Sequence, residues 1–503
     1  MPKKIVIIGG GVSGLAAGVN ALKNGYDALI LEKNPVPGGL CTSWKRKGFE
    51  IDGCIHWLTG TNPNTMMYQT WRDLGAIKEG EEFIYLDSWG SYHYEDTTVT
   101  FYRDLDKTEE EWIKISPKDK RQIKHFIRLV RRNISVELPL DKPAALLPFK
   151  VKMKFVFSLL RHFPLYFFPM MQTCERYAKK FKHPALRWAI EHAQPGAGNL
   201  YSMIFSYGTI ANNNGGIPYG GSKTLVSNLL ETYTQLGGQI RYNSEVTSFN
   251  IEKKKITSLN LSDGSLISGD YYITCCDSNY VLFNLLDNKY VHRKLAERYN
   301  KPISHPAPSC VFINYAVNKD VKINIPYNFK VEGFKLAEKT IDHINMRIFN
   351  YDDDFVRGER TVLQVLLDQD SNDYNYWQEL YKDKEKYCVF KQKLGEYVWK
   401  LIYQEVPEFG EEMNLLDVAT PVTFARYTNA SRGTYMSFLF NHQKGTIASR
   451  GRVSGITNLM LSGQYVQTPG GLPLAMASGK FSVDWIKHYE LGFFPRIFNL
   501  FRN

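Results

Sequence analysis

The chain has no C-x-x-C pair, no zinc-ligand spacing and no second strand followed by G-x-G-x-x-G. It also lacks any run of about 18 uncharged apolar residues, so no membrane-spanning helix is expected. Without C-x-x-C and without a second dinucleotide motif, a disulfide-reductase type of redox protein with a built-in nicotinamide domain is excluded. The cysteines, at 41, 54, 174, 275, 276, 310 and 388, are odd in number and form no framework. They read as reduced, mostly structural thiols in a cytoplasmic setting. The N-terminus enters a strand at once, so no signal peptide is expected ahead of it. No metal site is expected. The net charge of +11 comes with no nucleic-acid recognition motif, which leaves a solvated surface or an anionic membrane as its partner.

What is present is a globular composition of 503 residues, 44% hydrophobic, 22% charged and 14% aromatic. That is enough chain for two domains and a large apolar cavity or core.

The organising stretch is Ile5 to Lys33. Ile5–Ile8 is a short apolar run, too short for a helix and suited to a buried strand. Gly9, Gly11 and Gly14 follow in G-x-G-x-x-G spacing. Leu15, Val19 and Leu22 then recur at helical spacing, and Gly25 stands where a helix ends. Ala28–Leu31 is a second strand with Glu32 at its end. In this order the parts predict a dinucleotide site. Gly9 makes the turn, Gly11 lets the backbone approach a pyrophosphate, and Gly14 lets helix and strand pack closely. Glu32 is placed for a ribose, and Ser13 and Lys33 stand beside it as further cofactor contacts.

Further along, Ile84–Arg103 alternates polar and apolar residues and predicts a hairpin turning at Glu95-Asp96. Ser116-Pro117 predicts a helix start, with Ile123, Phe126, Ile127 and Val130 on one face. Residues 142–174 hold no Asp or Glu, while Lys142, Lys150, Lys152, Lys154 and Arg161 punctuate a run of Leu, Phe, Val, Met and Tyr. This composition fits an anionic membrane surface, or a buried helical pair with a solvated basic face. The C-terminal tail repeats it on a smaller scale. Gly215–Gly221 is a glycine-rich return before a helix carrying Leu225, Leu229 and Leu230. Strands are predicted over 239–246 and 251–261, then a third up to about Cys275 after an Asp263-Gly264 turn.

The segment Pro37-Gly38-Gly39-Leu40 with the following GFEIDGCIHW resembles the second signature of a flavoprotein superfamily. Its members include phytoene desaturases, carotenoid isomerases, retinol saturases and, more distantly, amine oxidases. The glycine-rich return at 215–221 and the closing SGQYVQTPGG segment resemble its later flavin motifs. The resemblance implies bound FAD. It implies that Gly38, Gly39 and Leu40 lie along the flavin and that Val246 touches the adenine side through its backbone. It implies that Gly463 and Gln464 lie near the pyrophosphate, with Gly471 and Leu472 near the isoalloxazine ring. Amine oxidases usually carry Arg where this chain has Leu40, which counts against that branch.

The expected fold is α/β, a Rossmann-type FAD-binding domain discontinuous in sequence (1–80, 215–300 and 441–490) with an inserted α+β substrate domain (81–214 and 301–440) and an amphipathic tail (491–503). The expected activity is FAD-dependent oxidoreduction of a C–C or C=C bond in a long apolar lipid such as a carotenoid, retinoid or other isoprenoid. The electron acceptor or donor is external: quinone, oxygen or NAD(P)H. A redox-neutral polyene isomerase, a lipid-binding flavoprotein and an oxygen-using amine oxidase are the alternatives. His56 is the candidate proton donor, or else a structural histidine. Trp57 and Tyr465 are cavity-wall aromatics or else core packing, Arg426 holds a polar substrate end, the flavin or only a carboxylate, and Asp52 caps the hairpin.

Overall fold

β1 (Lys4–Ile8) is buried from Ile5 to Ile8, as a strand covered on both faces must be. It leads through the glycine turn into α1 (Val12–Lys23) and on to β2 (Asp27–Leu31), which pairs with β1 in parallel. The computed structural model describes residues 1–134, 140–194, 198–291, 293–323, 325–439 and 450–490, so the predicted amphipathic tail lies outside the described residues. Gln239–Arg241, β2, β1, Tyr271–Thr274 and Leu459–Leu461 form one five-stranded parallel sheet in that order. The chain leaves β1 toward β2 and returns on the other side of β1 only at residue 271, so a topological switch point lies at the carboxyl end of β1.

Two later helices complete this layer. The helix Gly221–Gln235 packs on α1 where a Cβ at Gly18 would stand 2.6 Å from the Tyr233 ring. The Tyr233 hydroxyl lies 2.8 Å from both the Ala28 and Gln239 carbonyls, tying helix to sheet. The helix Leu472–Glu490 lies so close to α1 that a Cβ at Gly479 would sit 2.0 Å from the Ser13 carbonyl oxygen.

The predicted strands over 239–246 and 251–261 are divided differently. Gln239–Arg241 belongs to the parallel sheet, whereas Val246–Glu252 and Lys255–Leu261 form an antiparallel hairpin outside it. The hairpin turns at Lys253-Lys254, both at positive φ. Lysine carries no turn signature, so the run reads as continuous strand.

The larger sheet lies beside the parallel one. Its order is Leu415–Ala419, Pro308–Asn318, Arg360–Asp370, Lys339–Ile348, Tyr327–Leu336, Ser88–Tyr94 and Thr97–Tyr102, with Val356–Arg357 paired to the side of Arg360–Asp370. The last two strands are the predicted hairpin, with Glu95 at φ 50 in its turn. Helices between residues 105 and 211 cap this end of the sheet around Trp112, Phe126 and Tyr207. The predicted helix after Ser116 forms as a short turn, Pro117–Asp119, followed by Lys120–Asn133. Ser116 does not cap it. Its hydroxyl donates to Asp119 Oδ2 at 2.8 Å. The acid-poor stretch contains one 22-residue helix, Phe149–Met170, rather than a pair.

Candidate active site

One cavity of about 750 Å³ opens at the switch point and runs beneath the large sheet. Its floor is the glycine turn. Gly9 adopts φ +101, a conformation that favours glycine. A Cβ at Gly14 would lie 1.9 Å from the Gly9 carbonyl oxygen, so Gly14 is required by packing alone, and it does not line the cavity. Gly11 differs. It lines the cavity, its φ of −73 suits any L residue, and the nearest atom to an added Cβ is Gly38 O at 3.5 Å. Nothing internal demands glycine there. A ligand backed against the main chain does, and the α1 N-terminus behind it offers free N–H groups to a phosphate. These residues fit the pyrophosphate of FAD.

The Gly38-Gly39 pair is stitched onto the same turn: Gly38 N–H donates to the Gly10 carbonyl at 2.9 Å, and Gly11 bridges Gly38. Glu32 is buried and accepts from Gly10 N at 2.7 Å and from Asn34 N and Nδ2 at 2.9 Å. The Ser13 hydroxyl joins a short chain to Ser462 (2.9 Å) and Ser478 (3.1 Å), and Ser478 accepts from Gly463 N. Gln464 Nε2 donates to Tyr435 O, and its Oε1 accepts from Gly471 N at 3.1 Å. Gln464 thereby pins the turn that opens the helix Leu472–Glu490, whose N-terminal residue Leu472 lines the cavity. That end favours negative charge. Leu40 and Val246 also line the cavity, as do Gly39, Gly463 and Gly471.

Two of the expected residues have partners of their own. Lys33 lines the cavity, but its ammonium donates to Arg426 O (2.9 Å) and Asn429 Oδ1 (2.6 Å), so it braces that turn rather than presenting its charge inward. Arg426 itself is exposed, stacked against Tyr381 and Tyr427, and is not among the lining residues.

His56 reaches the cavity beyond Leu40. Burial, reinforced by the Arg347 guanidinium, holds its pKa well below the ordinary histidine value, so the ring is neutral near pH 7. Trp57 and Tyr465 form part of the wall, Trp57 meeting Trp89 edge-on at 6.2 Å. Asp52 is structural: its carboxylate accepts from Cys54 N, Ile55 N and Ser222.

Sequence reasoning missed the cavity face of Lys339–Ile348. Along it His343, Asn345 and Arg347 alternate into the cavity. Arg347 is buried, donating through Nη1 to the Ile55 carbonyl at 2.7 Å and through Nε and Nη2 to Gln364 Oε1. The signal was the polar residue at every second position of a strand, which ordinarily marks a solvent face.

The chain matches the family described as flavin containing amine oxidoreductase over residues 12–486, and it belongs to that family. It is an FAD-dependent oxidoreductase. Over 522 residues it is 21% identical to a 4,4'-diaponeurosporene oxygenase of Staphylococcus haemolyticus, covering 97% of this chain and 98% of the relative. It is 24% identical to the neurosporene-forming phytoene desaturase of Rhodobacter capsulatus, over 59% of this chain and 57% of that one. Among solved structures it shares its fold with a putative protoporphyrinogen oxidase from Exiguobacterium sp. 255-15 (TM-score 0.58, 15% identity, 98% and 100% coverage). It shares it also with a redesigned putrescine oxidase (TM-score 0.58, 14% identity, 97% and 99% coverage).

Proposed function

We propose that this protein desaturates or saturates a carbon–carbon bond in a long apolar polyene of the carotenoid kind, drawn from a membrane surface. The observation that carries this reading is one continuous cavity, lined both by the dinucleotide cradle and by aromatic residues under the large sheet. FAD, when bound, accepts or supplies a hydride, and the protein has to orient the reacting carbon and exclude water. Leu40, Trp57, Trp89 and Tyr465 offer an apolar, rigid wall for that purpose. His56, neutral and lining the cavity, is placed to accept or relay a proton there rather than to donate one. Gly9, Gly11, Ser13, Glu32, Gly38, Gly39, Val246, Gly463, Gln464, Gly471 and Leu472 hold the cofactor, and Gly14 keeps their scaffold closed. The names of the curated relatives, a diaponeurosporene oxygenase and a phytoene desaturase, support a carotenoid substrate.

The helix Phe149–Met170 supplies the route. Phe149, Phe157 and Phe168 are 58%, 63% and 61% exposed, with Lys150 and Lys154 also outward. Met170, at the end of the same helix, lines the cavity. An exposed apolar helix with lysines beside it suits the headgroup boundary of an anionic bilayer. Among the described residues no helix is long and apolar enough to cross a membrane.

The test is an anaerobic flavin spectrum of the purified protein on addition of acyclic carotenoids in liposomes, with the product's hydrogen count read by mass spectrometry. Flavin bleaching, or reoxidation of reduced flavin, with a mass change of two hydrogens supports the reading. Isomerised polyene of unchanged mass, or peroxide released from amines alone, replaces it.

A further inference from the structure

His192 meets the adjacent pair Asp342-His343, 150 residues further along the chain, beside the cavity that His192 and His343 line, with one potential metal-ligating atom from each lying within 4.8 Å of the others. His192 comes from the helix Pro184–His192 of the helical cap, and the other two from the strand Lys339–Ile348. Neighbouring residues on a regular strand point to opposite faces. Here the register with Tyr327–Leu336 breaks between the pairs Lys330–His343 and Phe334–Ile341, setting three residues against one. At that break Asp342 Oδ1 and His343 Nδ1 come to 3.0 Å of each other, and His192 Nε2 stands 3.6 Å from the same carboxylate oxygen. The two imidazole rings meet at 4.6 Å between centroids.

A hydrogen bond orients the His192 ring. Its Nδ1 lies 2.8 Å from the Trp188 carbonyl oxygen, which can only accept, so Nδ1 carries a proton and Nε2, the nitrogen turned toward Asp342, is the one at which a metal would replace a proton. A carbonyl that orients a histidine in this way is the usual support of a metal-bound imidazole. Zinc held tetrahedrally at roughly 2.0–2.1 Å from each ligand needs ligand atoms about 3.3 Å apart. The 3.0 and 3.6 Å from the Asp342 oxygen to the two imidazole nitrogens bracket that spacing, and the two nitrogens themselves lie within 4.8 Å of each other.

We propose that His192, Asp342 and His343 form a binding site for a divalent transition metal of the zinc type, which ties the helical cap to the large sheet at the cavity wall. Two imidazoles and one carboxylate select borderline cations over calcium or magnesium, which prefer all-oxygen sites. Three protein ligands leave a further coordination position for water on the cavity side. The flavin chemistry does not require this site, and the inference is independent of the substrate proposed above.

The test uses the full-length, flavin-loaded protein, stripped of metal by a chelator and titrated calorimetrically with zinc chloride, with calcium chloride as the control. The expected result is one zinc per chain at micromolar affinity, no calcium binding, and a concentration-dependent rise in Tm with zinc. His192→Ala and His343→Ala should each weaken zinc binding about 10-fold or more. Cys388→Ser, at an exposed thiol remote from the cluster in sequence, should leave binding unchanged. Because an alanine variant can misfold, cobalt(II) bound to the native chain provides a second readout through intense tetrahedral d–d bands beyond the flavin absorbance. Absence of stoichiometric zinc binding, binding unaltered in folded His192→Ala and His343→Ala, or weak octahedral cobalt bands would each overturn the proposal.

Discussion

Asp52 and Ser222, 170 residues apart, are joined by two hydrogen bonds: Ser222 N donates to Asp52 Oδ2 at 2.7 Å and Ser222 Oγ to Oδ1 at 2.6 Å. The Asp52 carboxylate thus caps the first turn of the helix Gly221–Gln235 while also accepting from Cys54 N and Ile55 N. It locks the hairpin behind the Gly38-Gly39 pair to the helix that supports the parallel sheet. Removing one partner strands several buried donors. Asp52→Ala should cost about 2–4 kcal/mol, read as a fall in the denaturation midpoint, and should loosen flavin in proportion. An unchanged midpoint would remove Asp52 from the scaffold.

Gly11 and Gly14 stand three residues apart and should fail in different ways. Gly14→Ala drives a methyl into the Gly9 carbonyl and should abolish stable folding. Gly11→Ala has internal room, so the protein should fold with a Tm near that of the native chain and yet lose flavin affinity at least 10-fold. A colourless, fully folded Gly11→Ala protein identifies the cradle; a yellow one removes the pyrophosphate from that position.

The membrane reading predicts a charge and an apolar component that can be separated. Phe157→Glu with Phe168→Glu should reduce cosedimentation with liposomes at any salt concentration. Lys150→Glu with Lys154→Glu should reduce it only on anionic liposomes at low salt, because screening removes that component. Lys152 is left out, since its ammonium donates to the Ala145 carbonyl at 2.9 Å. Equal sedimentation of all variants would rule out this helix as the contact.

His56 yields a pH dependence with a definite sign. Its folded pKa is depressed by burial and then by Arg347, so the unfolded chain takes up a proton that the folded chain refuses. Stability from the neutral ring is present above the ordinary histidine pKa of about 6.5 and is lost as pH falls below it. His56→Gln should flatten the Tm profile between pH 7 and the onset of general acid unfolding. If turnover of the native protein instead rises on protonation in that range, a group other than a neutral His56 handles the proton.

The cofactor end of the site was legible because its determinants are local. Strand, glycine turn, helix, strand and acid follow within Ile5–Glu32, and each residue acts on its immediate chain neighbours. The Gly38-Gly39 pair and the Gly463-Gln464 turn were legible by resemblance, and the tertiary structure places both against the same cavity. Arg426 lies outside the cavity, and Lys33 lines it with its ammonium already partnered; charge alone does not reveal whether an aromatic ring or a carbonyl already occupies the group. The hairpin at Lys253-Lys254 was missed because two lysines at positive φ give no turn signature.

The sequence by itself determined the dinucleotide unit and the hairpin at Ser88–Tyr102, since turn chemistry and side-chain period act over a few residues. Only the tertiary structure decided that this hairpin joins strands from residues 308–419 in one sheet, that Arg347 and Asn345 face inward, and that His192 meets Asp342 and His343. Those contacts depend on which faces are buried against each other. That is settled by the packing of the whole chain, and no local pattern encodes it.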